Sequence, residues 1–279
     1  MPDLPLLTTD GPDVLRADTR EPVILRGVNR SGLEYAAPDQ HGITAAEIDE
    51  ICGHWGSRII RLPFNQDWVL NRPGYLETLD QVIAWAAERG AYTLLDLQWL
   101  DVERKIAPLP DLNSPKTWGM LADRYKHNPA VLFDLYNEPH DTTVEDWCYW
   151  ATLLTDTIRA VHPDALVFVG GLNWAYDLRD VVIDRQHIVY STHVYPNKTA
   201  TLDPYEAFGH RADEGEPLFA GEWGGWDQHL EWGEQMATYF DQLGMGWTAW
   251  SWCDEPHLKR HGAITPFGSL VRRSLRGEL

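Results

Sequence analysis

The sequence predicts a single-domain α/β fold over residues 1–279, closed as a (β/α)8, or TIM, barrel. Three observations point there. Short apolar runs alternate eight times with helix-patterned segments. The length, 279 residues, is near the roughly 250 usual for that barrel. And no Gly-rich dinucleotide fingerprint follows the first run, where the chain reads GVNRSG, which weighs against the alternative of a doubly wound open sheet.

The first strand is read in VILRGVN (23–29), followed by a helix in TAAEIDEICGHWG that Gly53 or Gly56 ends. SRIIRLPF (57–64) is the second strand. Leu76, Leu79, Val82, Ile83 and Ala86 then recur at helical spacing, with Gly90 at the C′ position. AYTLLDLQW (91–99) is the third strand, and SPKTWGMLADRY opens with a Ser-Pro helix start. AVLFDLYNE is the fourth, and Thr142-Thr143-Val144-Glu145 offers a capping box for a long helix through Val161. ALVFVGG (165–171) is the fifth, with YDLRDVVID as a short helix. HIVYSTHVY (187–195) is the sixth, and a helix is placed somewhere in 204–211. PLFAGEWG (217–224) is the seventh, before a helix across 231–243; GMGWTAWSW (244–252) is the eighth, and SLVRRSL closes the chain as a helix.

The charge balance, 23 basic against 42 acidic residues, sums to −19. That excludes nucleic acid and an anionic membrane surface as partners, since either needs a basic footprint. Cys52, Cys148 and Cys253 show no metal-like spacing and are read as free thiols, which suits a reducing compartment. The N-terminus MPDLPLLTTDGPD has no basic n-region or long apolar core; a cytoplasmic monomer is expected, or a secreted one if a leader has been trimmed.

In such a barrel the chemistry lies at the C-terminal strand ends. Those ends carry Arg61, Gln98-Trp99, Asn137-Glu138, Asn173-Trp174, His193 with Tyr195, Glu222-Trp223 and Trp250. Two carboxylic acids therefore end strands four and seven and face one mouth. A glycosidase needs that arrangement: one acid protonates the leaving oxygen, while the other attacks the anomeric carbon or activates water. Arg61 and Tyr195 are candidate donors to the ionised member. A solvated loop carboxylate is the bland alternative for either glutamate alone, but two on the right strands with hydrogen-bonding company outweigh it. Of fourteen tryptophans, Trp68, Trp99, Trp174, Trp223, Trp226, Trp250 and Trp252 fall at or beyond strand ends, where an indole face can stack on a pyranose ring. Core packing suits Trp85, Trp147 and Trp150 better. No His-x-His at the first strand end, no His-Glu-x-x-His and no Gly-x-Ser-x-Gly appears, so neither a metal nor any other cofactor is expected.

NEP at 137–139, GEWG at 221–224, RLPF at 61–64 and THVY at 192–195, in register with their strands, together resemble family 5 glycoside hydrolases, the cellulase-like members of the retaining (β/α)8 clan. The resemblance runs from about Val23 to Trp252. It implies Glu138 as acid/base and Glu222 as nucleophile. It also implies Asn137 bonding the 2-hydroxyl, Arg61 and Tyr195 orienting the nucleophile, His193 lining the cleft and Trp250 flooring the subsite before the cleaved bond. The sequence departs from the pattern at Gln98, where many relatives carry a histidine; glutamine keeps hydrogen bonding but carries no charge. The implied activity is retaining hydrolysis of a β-1,4-glucan or its oligosaccharides. A β-mannan substrate, exo-action and transglycosylation are the alternatives within the class, and a noncatalytic carbohydrate-binding barrel is the rival outside it.

Overall fold

The computed structural model describes residues 4–279. Eight parallel strands close on themselves: Arg26–Asn29, Ile59–Asn65, Tyr92–Trp99, Val131–Asp134, Val167–Gly170, Ile188–Val194, Leu218–Trp223 and Gly246–Ala249, the eighth pairing back to the first. Each is numbered here by its place in the barrel. Helices cover the outside, so strands are buried on both faces, and all seven residues of the second strand are buried. The strands approach closely at Gly27, where a Cβ would stand 1.7 Å from the Ile59 carbonyl oxygen, so no other residue fits.

The interior has two storeys. The lower one is apolar: Leu94, Leu132, Leu166, Phe168, Val189 and Phe219 fill it, with Phe168 and Phe219 edge to face at 5.1 Å. An N-terminal hairpin, Leu7–Asp10 with Asp13–Arg16, closes the bottom, and Leu7 joins that apolar cluster. The upper storey is polar and belongs to the site. A larger apolar core lies between strands and helices, where Trp55, Trp118 and Trp147 are fully buried.

Most expected elements stand where the sequence placed them. Ser114–Tyr125 is the helix read from the Ser-Pro start. Val144–Arg159 is the long one, capped by Thr143, whose hydroxyl accepts from the Asp146 amide at 3.1 Å. The first helix begins at Ala45, widens into a π-turn over Glu50–His54, and ends at Gly56 with φ of 87° and not at Gly53.

Four differences are informative. YDLRDVVID forms no helix: Asp177 and Leu172 exchange backbone hydrogen bonds, and 178–184 runs as an irregular strap burying Leu178, Val181 and Ile183. The helix expected in 204–211 runs over Tyr205–Gly209 as a π-turn and continues as His210–Asp213. Neither the N-terminal hairpin nor the short one at Lys259–Arg260 and Ala263–Ile264 was read from the sequence. Finally, the fourth strand's ladder stops at Asp134, short of Glu138. Leu135 and Asn137 still donate to the carbonyls of Phe168 and Leu97 on the flanking strands, which keeps the overhanging segment in line.

Candidate active site

Arg61 is the centre of the upper storey. It projects from the middle of the second strand with no solvent exposure and reaches five neighbours. Its Nε donates to Asp134 Oδ2 at 2.8 Å; its Nη1 donates to Asn29 Oδ1 at 3.0 Å and Glu222 Oε1 at 2.9 Å. Its Nη2 donates to Asn137 Oδ1 at 3.0 Å and lies 3.0 Å from Asp96 Oδ1 without hydrogen-bond alignment. A guanidinium suits this position because its fixed fork serves several acceptors at once. The surrounding carboxylates keep it charged, raising its pKa against the opposing effect of burial.

Three carboxylates around one guanidinium cannot all be ionised cheaply in a buried space. Asp96 resolves the conflict. It is fully buried, neither oxygen has a hydrogen-bond donor, and burial drives its pKa well above the ordinary carboxylate range. Asp134, hydrogen-bonded by Arg61, is raised too, again by burial first. The two aspartates sit opposite each other in the strand register. Neither was singled out in the sequence, although each interrupts an apolar run (LLDLQW and LFDLY), and a charged residue inside an otherwise buried strand is a readable signal.

Glu222 ends the seventh strand beside His193 in the register of the sixth. Its side chain is 5% exposed and both oxygens are engaged: Arg61 on Oε1, and the Tyr195 hydroxyl donating to Oε2 at 2.6 Å. Burial raises its pKa; His193, Arg61 and the Tyr195 bond pull it back, and Glu138 pushes it up. Tyr195 itself is held as a phenol, its pKa raised by burial and then by the Glu222 charge.

Glu138 is placed differently. Its side chain keeps 24% exposure to the mouth, and its one protein hydrogen bond links Oε1 to His193 Nδ1 at 3.0 Å. Crowding by protein outweighs the pull of Arg61, Lys198 and His140 and pushes its pKa up to about 7. Burial holds His193 down at about 4, so its imidazole is neutral and shares one proton with the Glu138 carboxyl across the Nδ1–Oε1 contact. Carboxyl oxygens of Glu138 and Glu222 and a ring nitrogen of His193 lie within 4.8 Å of one another. Such a trio has the residue types of a metal site, yet its donors already serve Arg61, Tyr195 and each other, and Arg61 repels a cation. The fit is to a hydrogen-bonded acid pair.

The remaining candidates spread around the rim. Gln98 and Trp99 line a cavity of about 290 Å³ with Lys105, Tyr136, Asn137, Glu138, His140 and Trp174. Gln98 Oε1 is buried without a partner. Trp174 sits in a run of three left-handed residues, Asn173, Trp174 and Ala175, with φ between 53° and 60°. That run is costly for non-glycine residues. Trp174 N donating to Pro139 O and Lys198 Nζ donating to Asn173 O brace it. The bend lays Trp174 flat on His140, ring centroids 3.6 Å apart and 7° from parallel. His140 was not read from the sequence, nor were Asn29, Lys105 and Lys198. Trp250 follows the eighth strand, its indole donating to Glu255 O at 2.9 Å.

Two of the strand-end tryptophans are not at the mouth. Trp223 is fully buried among Phe240, Trp247 and Phe267, and Trp252 packs on Trp55 at 4.8 Å. Side chains alternate across a strand, so Trp223 points outward because its neighbour Glu222 points in.

Residues 17–256 match the family model described as Cellulase (glycosyl hydrolase family 5). The chain belongs to that family. Among its relatives are Endoglucanase MaCel5A of Microbulbifer sp. (strain ALW1), 24% identical over 267 residues covering 89% of this chain and 51% of the relative, and Endoglucanase A of Butyrivibrio fibrisolvens, 28% identical over 234 residues, 78% of this chain and 52% of the relative. The family 5 chain thus spans about half the length of these relatives. The same barrel is seen in the beta-glucanase SdGluc5_26A of Saccharophagus degradans, solved with cellotetraose: TM-score 0.86, 23% identity, 99% of this chain and 94% of that one. The catalytic domain of Thermobifida fusca endoglucanase Cel5A superposes with TM-score 0.81 at 19% identity over 97% of each chain.

Proposed function

We propose that this family 5 chain hydrolyses internal β-1,4 bonds of a glucan with retention of anomeric configuration. The observation that carries the proposal is the contrast between two glutamates within reach of one another. Burial raises the pKa of both, but Glu222 alone receives two strong donors that favour its anion, whereas Glu138, with its pKa up at about 7, retains its proton to higher pH than an ordinary carboxylic acid. The approach within 4.8 Å supports the short separation, about 5–5.5 Å between carboxyl groups, of retaining enzymes.

In the first step Glu222 Oε attacks the anomeric carbon. The bond to the glycosidic oxygen breaks with its electron pair, and Glu138 gives that oxygen its proton. The product is a glycosyl ester on Glu222 and a free sugar with a new hydroxyl. Glu138, now ionised, takes a proton from water, which attacks the same carbon and releases Glu222. Asn137 is positioned for the 2-hydroxyl: Arg61 occupies its Oδ1 and leaves the Nδ2 group available. His193 and Tyr195 orient the two acids, Gln98 and Trp99 contact the sugar beside the cleaved bond, and Trp174 and Trp250 supply stacking surfaces.

Reducing-sugar release from β-glucans, β-mannans and cello-oligosaccharides, run beside Glu222→Gln, tests this. Cleavage of a β-1,4-glucan to mixed oligosaccharides, abolished in the variant and initially yielding the β-anomer by NMR, is the expected result. A protein that binds cellotetraose without cleaving any of the panel would replace the proposal with a binding role.

A further inference from the structure

The wall of the mouth beside Glu138 carries a feature that hydrolysis of a neutral glucan does not use. The 290 Å³ cavity is lined by Glu138 and not by Glu222, so it opens on the acid's side of the mouth, running from Asn137 out to Trp174. Two lysines are near it, Lys105 in its lining and Lys198 on Asn173, the residue before the lining Trp174. Lys105 lines the cavity, its Nζ 5.8 Å from the Trp99 ring centre. Lys198 Nζ donates to Asn173 O at 2.9 Å and Asn173 Oδ1 at 3.2 Å, one residue from Trp174, and its charge is felt at Glu138.

In a chain of net charge −19, neither lysine has an ion-pair partner among the described residues. Lys126 and Lys259, by contrast, each sit 2.7 Å from a carboxylate, on Asp123 and Glu50. Lys116, also without one, is exposed on the outer Ser114–Tyr125 helix. Acids are not scarce near Lys105: its neighbour Arg104 takes both Asp101 and Asp111 and fixes the loop. Tyr136 OH donating to Ala107 O at 2.6 Å pins the same loop from the other side. The loop carrying Lys105 is thereby braced at the edge of the cavity, its ammonium without an ion-pair partner among the described residues, and Lys198 keeps one of its three N–H donors free.

Resting on the hydrolase reading, we infer that the acid's side of this cleft is built for a carboxylate, so the preferred substrate is a β-glucan bearing carboxylate groups. The two ammonium groups bind the carboxylate between them while Trp174 stacks on the sugar that carries it. Because the net charge repels a polyanion at long range, such a substrate needs uncompensated cations at the point of contact.

The test compares kcat/KM on carboxymethylcellulose and on neutral hydroxyethylcellulose for the native chain and for Lys105→Met/Lys198→Met. Tryptophan-fluorescence titrations with cellotetraose and with its aldonic acid read binding without turnover. The expected result is a five- to tenfold fall, roughly, in the anionic-to-neutral ratio of kcat/KM. A matching loss of aldonic-acid affinity assigns the pocket to reducing-end carboxylates, and its absence assigns it to carboxylates along the chain. An unchanged ratio, including equal loss on both polymers as expected if Lys198 only braces Asn173, overturns the inference and leaves the hydrolase reading standing. If neither polymer is cut, the hydrolase reading fails, and the inference falls too unless the native chain binds the aldonic acid more tightly than cellotetraose and the variant does not.

Discussion

The floor of the mouth and its wall solve opposite electrostatic problems. On the floor, Glu222 shares Arg61 with two buried aspartates, and the guanidinium approaches all three carboxylates at 2.8–3.0 Å from neighbouring strands. On the wall, Glu138 overhangs a ladder that has already ended, holds one hydrogen bond and opens to a cavity. In the proposed mechanism the floor would stabilise a charge present before reaction, and the wall would withhold charge from a group that gives up and regains a proton. A rigid, donor-rich site suits the first task, and a crowded, donor-poor one suits the second.

The sharpest way to break the comparison is to remove the floor's charge. Glu222→Gln is expected to lower kcat by about 10⁴-fold or more while leaving cellotetraose binding measurable, because the proposed nucleophile has no substitute. A residual rate above a hundredth of the native one would assign the attack elsewhere. Glu138→Gln is expected to cost roughly 10²–10⁴-fold, the range for losing a general acid. The same residue sets the high-pH limb. Burial raises the Glu138 pKa to about 7, the acid form is the active one, and activity therefore falls as pH rises through about 7. In Glu138→Gln the remaining activity should lose that limb; a limb that persists would belong to another group.

Smaller changes sharpen the contrast. Tyr195→Phe removes one donor from Glu222 Oε2 and should slow turnover about tenfold, as for a hydrogen bond to a charged group. It should also shift the low-pH limb upward, since a carboxylate with fewer donors binds its proton more tightly. An unmoved limb would mean the hydroxyl only orients. Trp174→Ala is expected to raise KM about three- to tenfold with little change in kcat, the signature of lost stacking. Equal loss in kcat would instead report collapse of the left-handed turn onto Glu138.

Much of this was legible in one dimension, and the places where it was not are specific. The capped and glycine-terminated helices were readable because their signals lie within a few residues of each other. YDLRDVVID misled because a helix-like pattern was overridden by a non-local pairing of Asp177 with Leu172. Trp223 and Trp252 misled because being near a strand end says nothing about which face a side chain takes. Asp96 and Asp134 were visible as acids in apolar runs, but their shared partner Arg61 comes from a third strand.

By itself the sequence determined the eight strand–helix alternations, the identities of the two glutamates with Arg61, His193 and Tyr195 on or just beyond the barrel strands, and the net charge of −19. Each follows from local periodicity or composition. Only the tertiary structure decided that Asp96 and Asp134 converge on Arg61, that Glu222 takes hydrogen bonds from Arg61 and Tyr195 while burial lifts the pKa of the donor-poor Glu138 to about 7, that His140 backs Trp174, and that Lys105 and Lys198 have no ion-pair partner among the described residues. The physical reason is that desolvation and charge coupling sum over atoms from many strands, and barrel closure brings those atoms together at separations no sequence interval encodes.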